Sequence, residues 1–374
     1  MTVAANPFRI FRGSIVVSLI ALAVAYMYGG LPALITAAIL GVLEASLSFD
    51  NAIINSTIVS KLSDRWQKAF LTVGILVAVV GMRFLFPLLI VGVTTGLNPA
   101  EAWNLAMQKG DPNTPGTYGF ILHEAHPQIA AFGGVFLLML FLDYITDPEK
   151  ELHWLKWVEE RLVALGAVPR VAVVIGLASI IGISLLADSA HIVGVLVSGT
   201  AGMLTYLLVS ALGDHFEGQL EEDEDDTSAA VGAATVKLVG KAALFSFIYL
   251  EAIDASFSFD STIGAFAVTA DPVLIAIGLG FIGAMFVRSL TIFLVRQGTL
   301  SEFVFLEHGA HWAIGTLSIL LLASIGIEIP ELVTGLIGVV LIGAALVSSI
   351  MYNRKHRDEV EDAGEGEPDS DLAA

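Results

Sequence analysis

The chain is expected to fold as an all-α polytopic transmembrane helix bundle of about ten spans that contains two inverted three-helix repeats. Three observations predict this. The 374 residues are 56% hydrophobic and only 15% charged, with a mean hydropathy of +0.80. Apolar runs of about twenty residues, the length that crosses a hydrocarbon core, recur along the chain. Finally, the segment Glu44-Ala45-Ser46-Leu47-Ser48-Phe49-Asp50-Asn51-Ala52-Ile53 returns as Asp254-Ala255-Ser256-Phe257-Ser258-Phe259-Asp260-Ser261-Thr262-Ile263, each copy inside an apolar run.

The apolar runs place spans near 13–30, 33–60, 69–95, 128–146, 171–187, 190–212, 236–268, 272–295, 305–325 and 331–351. With the N-terminus in the cytoplasm, fifteen of the 18 basic residues fall on the cytoplasmic side, Lys109 alone lies outside, and Arg83 and Arg288 lie within helices. That bias obeys the positive-inside rule and supports both orientation and parity. The expected location is the cell (cytoplasmic) membrane, multi-pass, with both termini cytoplasmic. Arg9 and Arg12 before the first run also suit a cleaved signal peptide, but the run is long and ends in a weak cleavage site before Pro32.

Residues 1–374 read as a single membrane domain. Residues 147–170, with Trp154, Trp157, Val158, Leu162 and Leu165 among charges, read as a cytoplasmic amphipathic segment that anchors at the interface. An acidic cytoplasmic loop is expected over 213–235, around the run Glu221-Glu222-Asp223-Glu224-Asp225-Asp226, and a disordered tail over 355–374. The absence of cysteine excludes disulfides, thiolate metal centres and a Cys nucleophile. A net charge of -19 gives no support to nucleic-acid binding. No enzyme motif is present, and the paired intramembrane aspartates lack the Gly-x-Gly-Asp setting of membrane hydrolases. The chain is therefore read as a non-enzyme with no permanently bound cofactor.

The duplication extends beyond the motif. A helix carrying one arginine follows each copy, in Gly81-Met82-Arg83-Phe84-Leu85 and Phe286-Val287-Arg288-Ser289-Leu290, and then a histidine opens a further apolar helix, His126 in the first half and His311 in the second. Repeat one is placed at 33–146 and repeat two at 236–325. Helices two and seven are an odd number of crossings apart, so the copies run in opposite directions, as in many secondary transporters that bind substrate at the repeat interface.

Carboxylates inside a membrane cost on the order of 3 kcal/mol each even on the lenient insertion scale, so they usually face a cavity or an ion path. In a continuous helix, Glu44, Ser48, Asn51 and Asn55 share a stripe, and Ser46 and Asp50 form another roughly 120° away. Either protein surrounds this helix or it unwinds near Ser48 and offers backbone carbonyls. Carboxylate, hydroxyl, amide and carbonyl oxygens are hard donors suited to magnesium, calcium or manganese. Asp143 and Glu251 add oxygens. The structural alternative pairs Asp50 and Asp260 with Arg83 and Arg288 merely to fix packing. In either case the arginines are counter-charges or gates, not ligands. His126, beside His123 and Glu124, and His311, beside Glu307 and His308, are candidate sites at the two mouths of a path.

Glu-x5-Asp-Asn at 44–51 and Asp-x5-Asp-Ser at 254–261, the latter followed by Ala267-Val268-Thr269-Ala270-Asp271-Pro272 and Arg288, resemble the TerC family of integral membrane proteins. That family is grouped with the LysE-type transporter superfamily and is associated with manganese efflux and tellurium resistance. The resemblance covers about 33–95 and 236–325, and it departs in the long 96–127 segment, the acidic 213–235 loop and Asp143. It implies a metal-path role for Glu44, Asp50, Asn51, Asp254, Asp260 and Ser261; Asp143 is a further candidate from its own carboxylate, not from the resemblance. It also implies a secondary transporter exporting a divalent cation, manganese by expectation, with the lipid bilayer and the ion as partners and the oligomeric state open. The alternative is a non-transporting membrane scaffold in metal or tellurium stress response.

Overall fold

The computed structural model describes residues 7–148, 150, 152–225, 237–297, 303–327 and 329–364. Within these helices the side chains of Ser46, Leu47, Asp50, Phe259, Asp260 and 213–225, among others, lie outside the described residues. The fold is all-helical, with no strand among the described residues. Six helices are long and apolar enough to cross a membrane, or seven if one bent pair counts as a single span, against the ten expected. The expected span 33–60 is divided near Ser48, 171–187 enters only through the bent pair, and 236–268 and 305–325 are not among the six.

That first helix, α1 (Pro7–Leu47), would be roughly 60 Å long if straight, about twice a hydrocarbon core. It is interrupted at Gly29 and Gly30, the latter at φ 68°, where a side chain would be strained. Its two halves flank one partner helix, α11 (Pro272–Arg296). Ser14 bonds the Met285 carbonyl and the Ser289 hydroxyl, while Glu44 packs against Gly283. Residues 30 apart in sequence thus meet a short stretch of one helix, so α1 folds back on itself at the glycine pair. The second half lies very close to α11. A Cβ on Gly41 would sit 2.5 Å from Ile282 Cγ2, and one on Gly278 2.5 Å from Leu40 Cβ. Small residues at such contacts let helix backbones approach where lipid supplies no hydrophobic drive between helices.

Helix α2 (Phe49–Lys61) follows after a mild turn at Ser48, with φ -96° and ψ 23°. The turn does not free the backbone, because Ser48 N donates to Glu44 O at 3.0 Å and Ala52 N donates to Ser48 O at 3.1 Å. Of the two alternatives, a helix surrounded by protein or one unwound near Ser48, the unwinding does not occur. The long helix α3 (Asp64–Thr95) contains widened π turns at Phe70–Gly74 and Val77–Leu85, and α11 contains one at Ala276–Ala284. Such turns often mark functional positions. Two short helices, α4 (Pro99–Met107) and α5 (Tyr118–Glu124), cover one end of the bundle. There Lys109 Nζ lies 2.7 Å from Asp271 Oδ2, and Tyr28 Oη donates to Asp271 Oδ1 at 3.3 Å.

The core is built around α6 (His126–Ile145), which buries Val135, Phe136, Leu137 and Met139. Around it stand α8 (Val171–Ser184), α9 (Ile192–Asp225), α10 (Gly240–Val268) and α12 (Leu306–Ala323). Between α6 and α8, the amphipathic α7 (Lys156–Gly166) meets α8 at a bend of 100°. Two expectations are corrected. The acidic run 221–225 continues α9 as helix instead of forming a loop, and 226–235 lies outside the described residues. The last helix, α13 (Glu331–Gly364), runs ten residues into the expected disordered tail, and 365–374 lies outside the described residues. Both stretches are rich in strong helix formers with no proline, and α13 ends near the first glycines.

Helices α2 and α10 run antiparallel. Leu62 and Leu238 pair through their backbones at one end, with Ser63 N to Leu238 O at 3.1 Å and Leu238 N to Lys61 O at 2.8 Å, and Asn55 reaches Asp254 further along. Between these points Val59 packs with Phe247 and Leu250.

Candidate functional site

Each motif presents its first acid to the arginine of its own half. Glu44 is 1% exposed and its Oε1 accepts from Arg83 Nη2 and from Ser48 Oγ. Arg83 is itself buried, at the end of the second π turn of α3, and its other terminal nitrogen donates to the Ala78 carbonyl at 2.8 Å. In the second half, Asp254 Oδ2 accepts from Arg288 Nη2 at 2.5 Å. Arg288 also donates to Phe70 O at 3.2 Å and Gly74 O at 3.0 Å, carbonyls bounding the first π turn of α3, and to Glu251 at 3.3 Å. Its guanidinium lies 4.0 Å from the Phe70 ring centroid, a cation–π contact.

The two halves are bonded to each other at the same place. Asn51 Nδ2 and Asn55 Nδ2 from α2 both donate to Asp254 Oδ1 on α10, at 2.8 and 2.7 Å. Three charge-assisted hydrogen bonds therefore meet on one buried carboxylate, each stronger than its neutral counterpart. Glycines let the pieces close in: a Cβ on Gly74 would lie 2.5 Å from Arg288 Nη1 and Glu251 Oε1, and one on Gly283 would collide with Glu44.

Two buried oxygens nearby, Glu44 Oε2 and Asn55 Oδ1, have no hydrogen-bond partner among the described residues. Unpaired buried acceptors are costly, by about 1–3 kcal/mol and more when charged, and call for an explanation such as an ion or water.

The remaining candidates separate from this centre. The acids expected to pair with the arginines, Asp50 and Asp260, have side chains outside the described residues, so the observed partners of Arg83 and Arg288 are Glu44 and Asp254. Ser261 Oγ donates to its own helix at Ser258 O, 3.0 Å away. Asp143 accepts from Tyr206 Oη at 2.8 Å and lines a different, open cavity at the end of α6. His126 lines a small cavity of about 40 Å³ with mostly apolar neighbours that include Met82, Phe132 and Leu321. His311 is no open mouth: it is 6% exposed, its Nδ1 lies 2.9 Å from Glu307 O, and its ring stacks on Tyr144 at 3.5 Å. Among the described residues no three His, Cys, Asp or Glu side chains form a group that could hold a metal ion.

A second buried charge cluster was not legible as such in the sequence. Glu159 of α7 is 0% exposed and accepts from Trp312 Nε1 at 2.9 Å, Leu155 N at 3.1 Å and Trp154 N at 3.2 Å. Lys150 Nζ lies 3.3 Å from it and His308 Nε2 3.8 Å. Burial by itself would raise the Glu159 pKa, but the bonds from Trp312 and Leu155, with Lys150 and His308, outweigh it and hold the carboxyl below the usual carboxylate value. Lys150 is pulled below the usual lysine value by burial, against the opposing pull of Glu159. The short bonds to Glu159 identify it as the ionised member that the cluster is built around. The amphipathic segment is thus fastened to α12 by a buried acid. The sole hint in the sequence was an i,i+3/i+4 apolar face that also contained a glutamate.

Residues 49–356 match the model of the family described as Protein of unknown function (DUF475). No curated protein and no solved structure matches the chain. The match corrects the expected TerC membership: the family found is a different one, and nothing shows membership of the TerC family or the LysE-type superfamily. A motif of two acids at fixed spacing inside an apolar helix is short enough to be shared without common membership. Since the match covers most of its length, the chain belongs to the DUF475 family.

Proposed function

We propose that this protein is a secondary membrane transporter for a divalent cation, with manganese the expected ion and export the expected direction. The observation that carries the reading is the pair of buried acid–arginine units, one from each half, joined across antiparallel helices by Asn51 and Asn55 on Asp254. Buried ionisable groups of this kind are a functional-site hypothesis by default. In this reading the chain comprises two inverted repeats within about ten spans of the cell membrane, its termini cytoplasmic, and Arg83 and Arg288 are the counter-charges of the site's acids.

An arriving cation competes with Arg83 for Glu44 and with Arg288 for Asp254, and Asp50, Asn51, Asp260 and Ser261 supply further hard oxygens. Glu44 Oε2 and Asn55 Oδ1, unpaired and buried, are acceptors for which a cation is a suitable partner. A specific observation also favours the scaffold reading: Asp254 is already held by three donors, as expected of a group that fixes packing.

Reconstitution in liposomes separates the two. Manganese, calcium and magnesium flux is followed for wild type, Asp50→Asn and Asp260→Asn. The transporter reading expects flux in the wild type and at least a tenfold loss in each variant. Flux surviving both substitutions removes these carboxylates from the path, and no flux under any imposed gradient leaves the scaffold.

A further inference from the structure

Where α6, α8 and α9 meet, they are in tight contact at one level and splayed apart at another. At Gly176 on α8 a Cβ would lie 2.8 Å from Met139 Sδ and 3.1 Å from Met203 Sδ, so the three helices close there. One to two turns towards the start of α8 they separate around an open cavity of about 500 Å³, within the range of small-ligand sites.

The cavity wall combines two chemistries: Met139, Val171, Val173 and Leu207 are apolar, and Asp143, Asp147, Arg170, Tyr206 and Ser210 are polar or charged. Tyr206 holds Asp143 in place through its 2.8 Å hydrogen bond. Arg170 adopts φ 63°, ψ 24°, a left-handed conformation that is uncommon for a residue with a side chain. Such strain clusters at ligand clamps and switches. The cavity also lies where the apolar α6 passes into the charged segment 147–170, the position of a bilayer interface. Directly beyond it, α8 presents Val174, Leu177 and Ile181 outward, at 62%, 45% and 60% exposure.

We infer that this cavity binds the headgroup of a zwitterionic phospholipid of the phosphatidylethanolamine type, its phosphate on Arg170 and its ammonium on Asp143 and Asp147. The charge pattern selects this class. One cation beside two acids suits a ligand that carries both signs, and an ammonium with three N–H donors can bond carboxylates where a quaternary choline cannot. The acyl chains follow the exposed face of α8, an apolar surface continuous with the cavity mouth. The site is independent of the ion-path reading, since Asp143 is bonded to Tyr206 and neither residue belongs to an acid–arginine pair.

The test uses the full-length protein in detergent, melted in the presence of phosphatidylethanolamine, phosphatidylcholine or phosphatidylglycerol of matched chains. Phosphatidylethanolamine is expected to raise the melting temperature by several degrees more than either other lipid. Arg170→Gln and Asp143→Asn should each lose that increment while keeping the phosphatidylcholine response of the wild type. Asn at 143 still accepts the Tyr206 hydrogen bond, so this variant removes charge without removing the local contact. Equal stabilisation by the three lipids, a preference for phosphatidylglycerol, or an increment that survives both substitutions overturns the proposal. So does an equal increment from soluble phosphoethanolamine, which would make the ligand a small zwitterion and not a lipid.

Discussion

The two acid–arginine pairs arise from the same duplicated pattern, yet they are held in different ways. Arg288 has alternatives: Asp254, Glu251, two backbone carbonyls and the Phe70 ring all surround it. Arg83 meets one carboxylate, Glu44, and one carbonyl of its own helix, and its Nε is buried without a partner among the described residues. Asp254 is bonded across to α2, whereas the second oxygen of Glu44 is unpaired. The two similar segments thus carry different charge pairs: one crosslinks α2 and α10, and the other is simple. The simple pair is the one a cation can open at lower cost, because fewer bonds must be given up.

Arg288→Ala should produce the largest loss of stability, because it leaves both Asp254 and Glu251 buried without their cation. The expected loss lies at or above the top of the roughly 3–5 kcal/mol range for breaking a buried pair, read by denaturant or thermal unfolding in detergent. A loss of less than about 1 kcal/mol would show that the network carries little.

The conservative variants sharpen the contrast. Glu44→Gln strands Arg83 with no carboxylate and should cost about 3–5 kcal/mol. Asp254→Asn leaves Arg288 with Glu251, but the introduced NH2 must face either Arg288 or the amides of Asn51 and Asn55, all of them donors, so it should cost at least as much. A clearly smaller loss in Asp254→Asn than in Glu44→Gln would break the comparison.

The Glu159 cluster offers a smaller, pH-dependent effect far from both pairs. Glu159→Gln keeps the shape and one acceptor but removes the charge, with an expected cost of about 1.5–3 kcal/mol. Because the folded carboxyl is held below the ordinary value of 4.5, the wild-type contribution is fully present above pH 4.5 and fades as pH falls through the lowered value. The difference between wild type and variant should therefore hold from pH 7 to pH 4.5 and shrink on further acidification, as followed by melting temperature from pH 7 down through the lowered value. A difference that grows towards low pH would contradict the assignment.

Much of this was legible in the sequence and some was not, for physical reasons. The helical class followed from apolar runs, and the association of each motif with an arginine followed from the duplication. The stripe of Glu44, Ser48, Asn51 and Asn55 is one buried surface, at 1%, 8%, 4% and 1% exposure. Which acid meets the arginine was not legible, because it depends on helix rotation, fixed by the close contacts of Gly41 and Glu44 on α1 with Ile282 and Gly283 on α11. The span count was also obscured. One helix continues through the kink at Gly29 and Gly30 where the sequence suggested two spans, and the second expected span is divided near Ser48 between the end of α1 and the 13-residue α2. The role of Glu159 came from contacts made 153 residues away at Trp312, which no local pattern announces.

The central claim is that a cation and Arg83 compete for Glu44, and manganese-induced stabilisation tests it most directly. A ligand that binds the folded state raises its melting temperature in proportion to affinity and concentration. Melting is measured with and without manganese for wild type, Arg83→Gln and Glu44→Gln. The account predicts a larger manganese shift in Arg83→Gln than in wild type, since the competitor is gone and an uncompensated carboxylate remains, and no shift in Glu44→Gln. A shift in Arg83→Gln no larger than in wild type, or a full shift retained in Glu44→Gln, would contradict it.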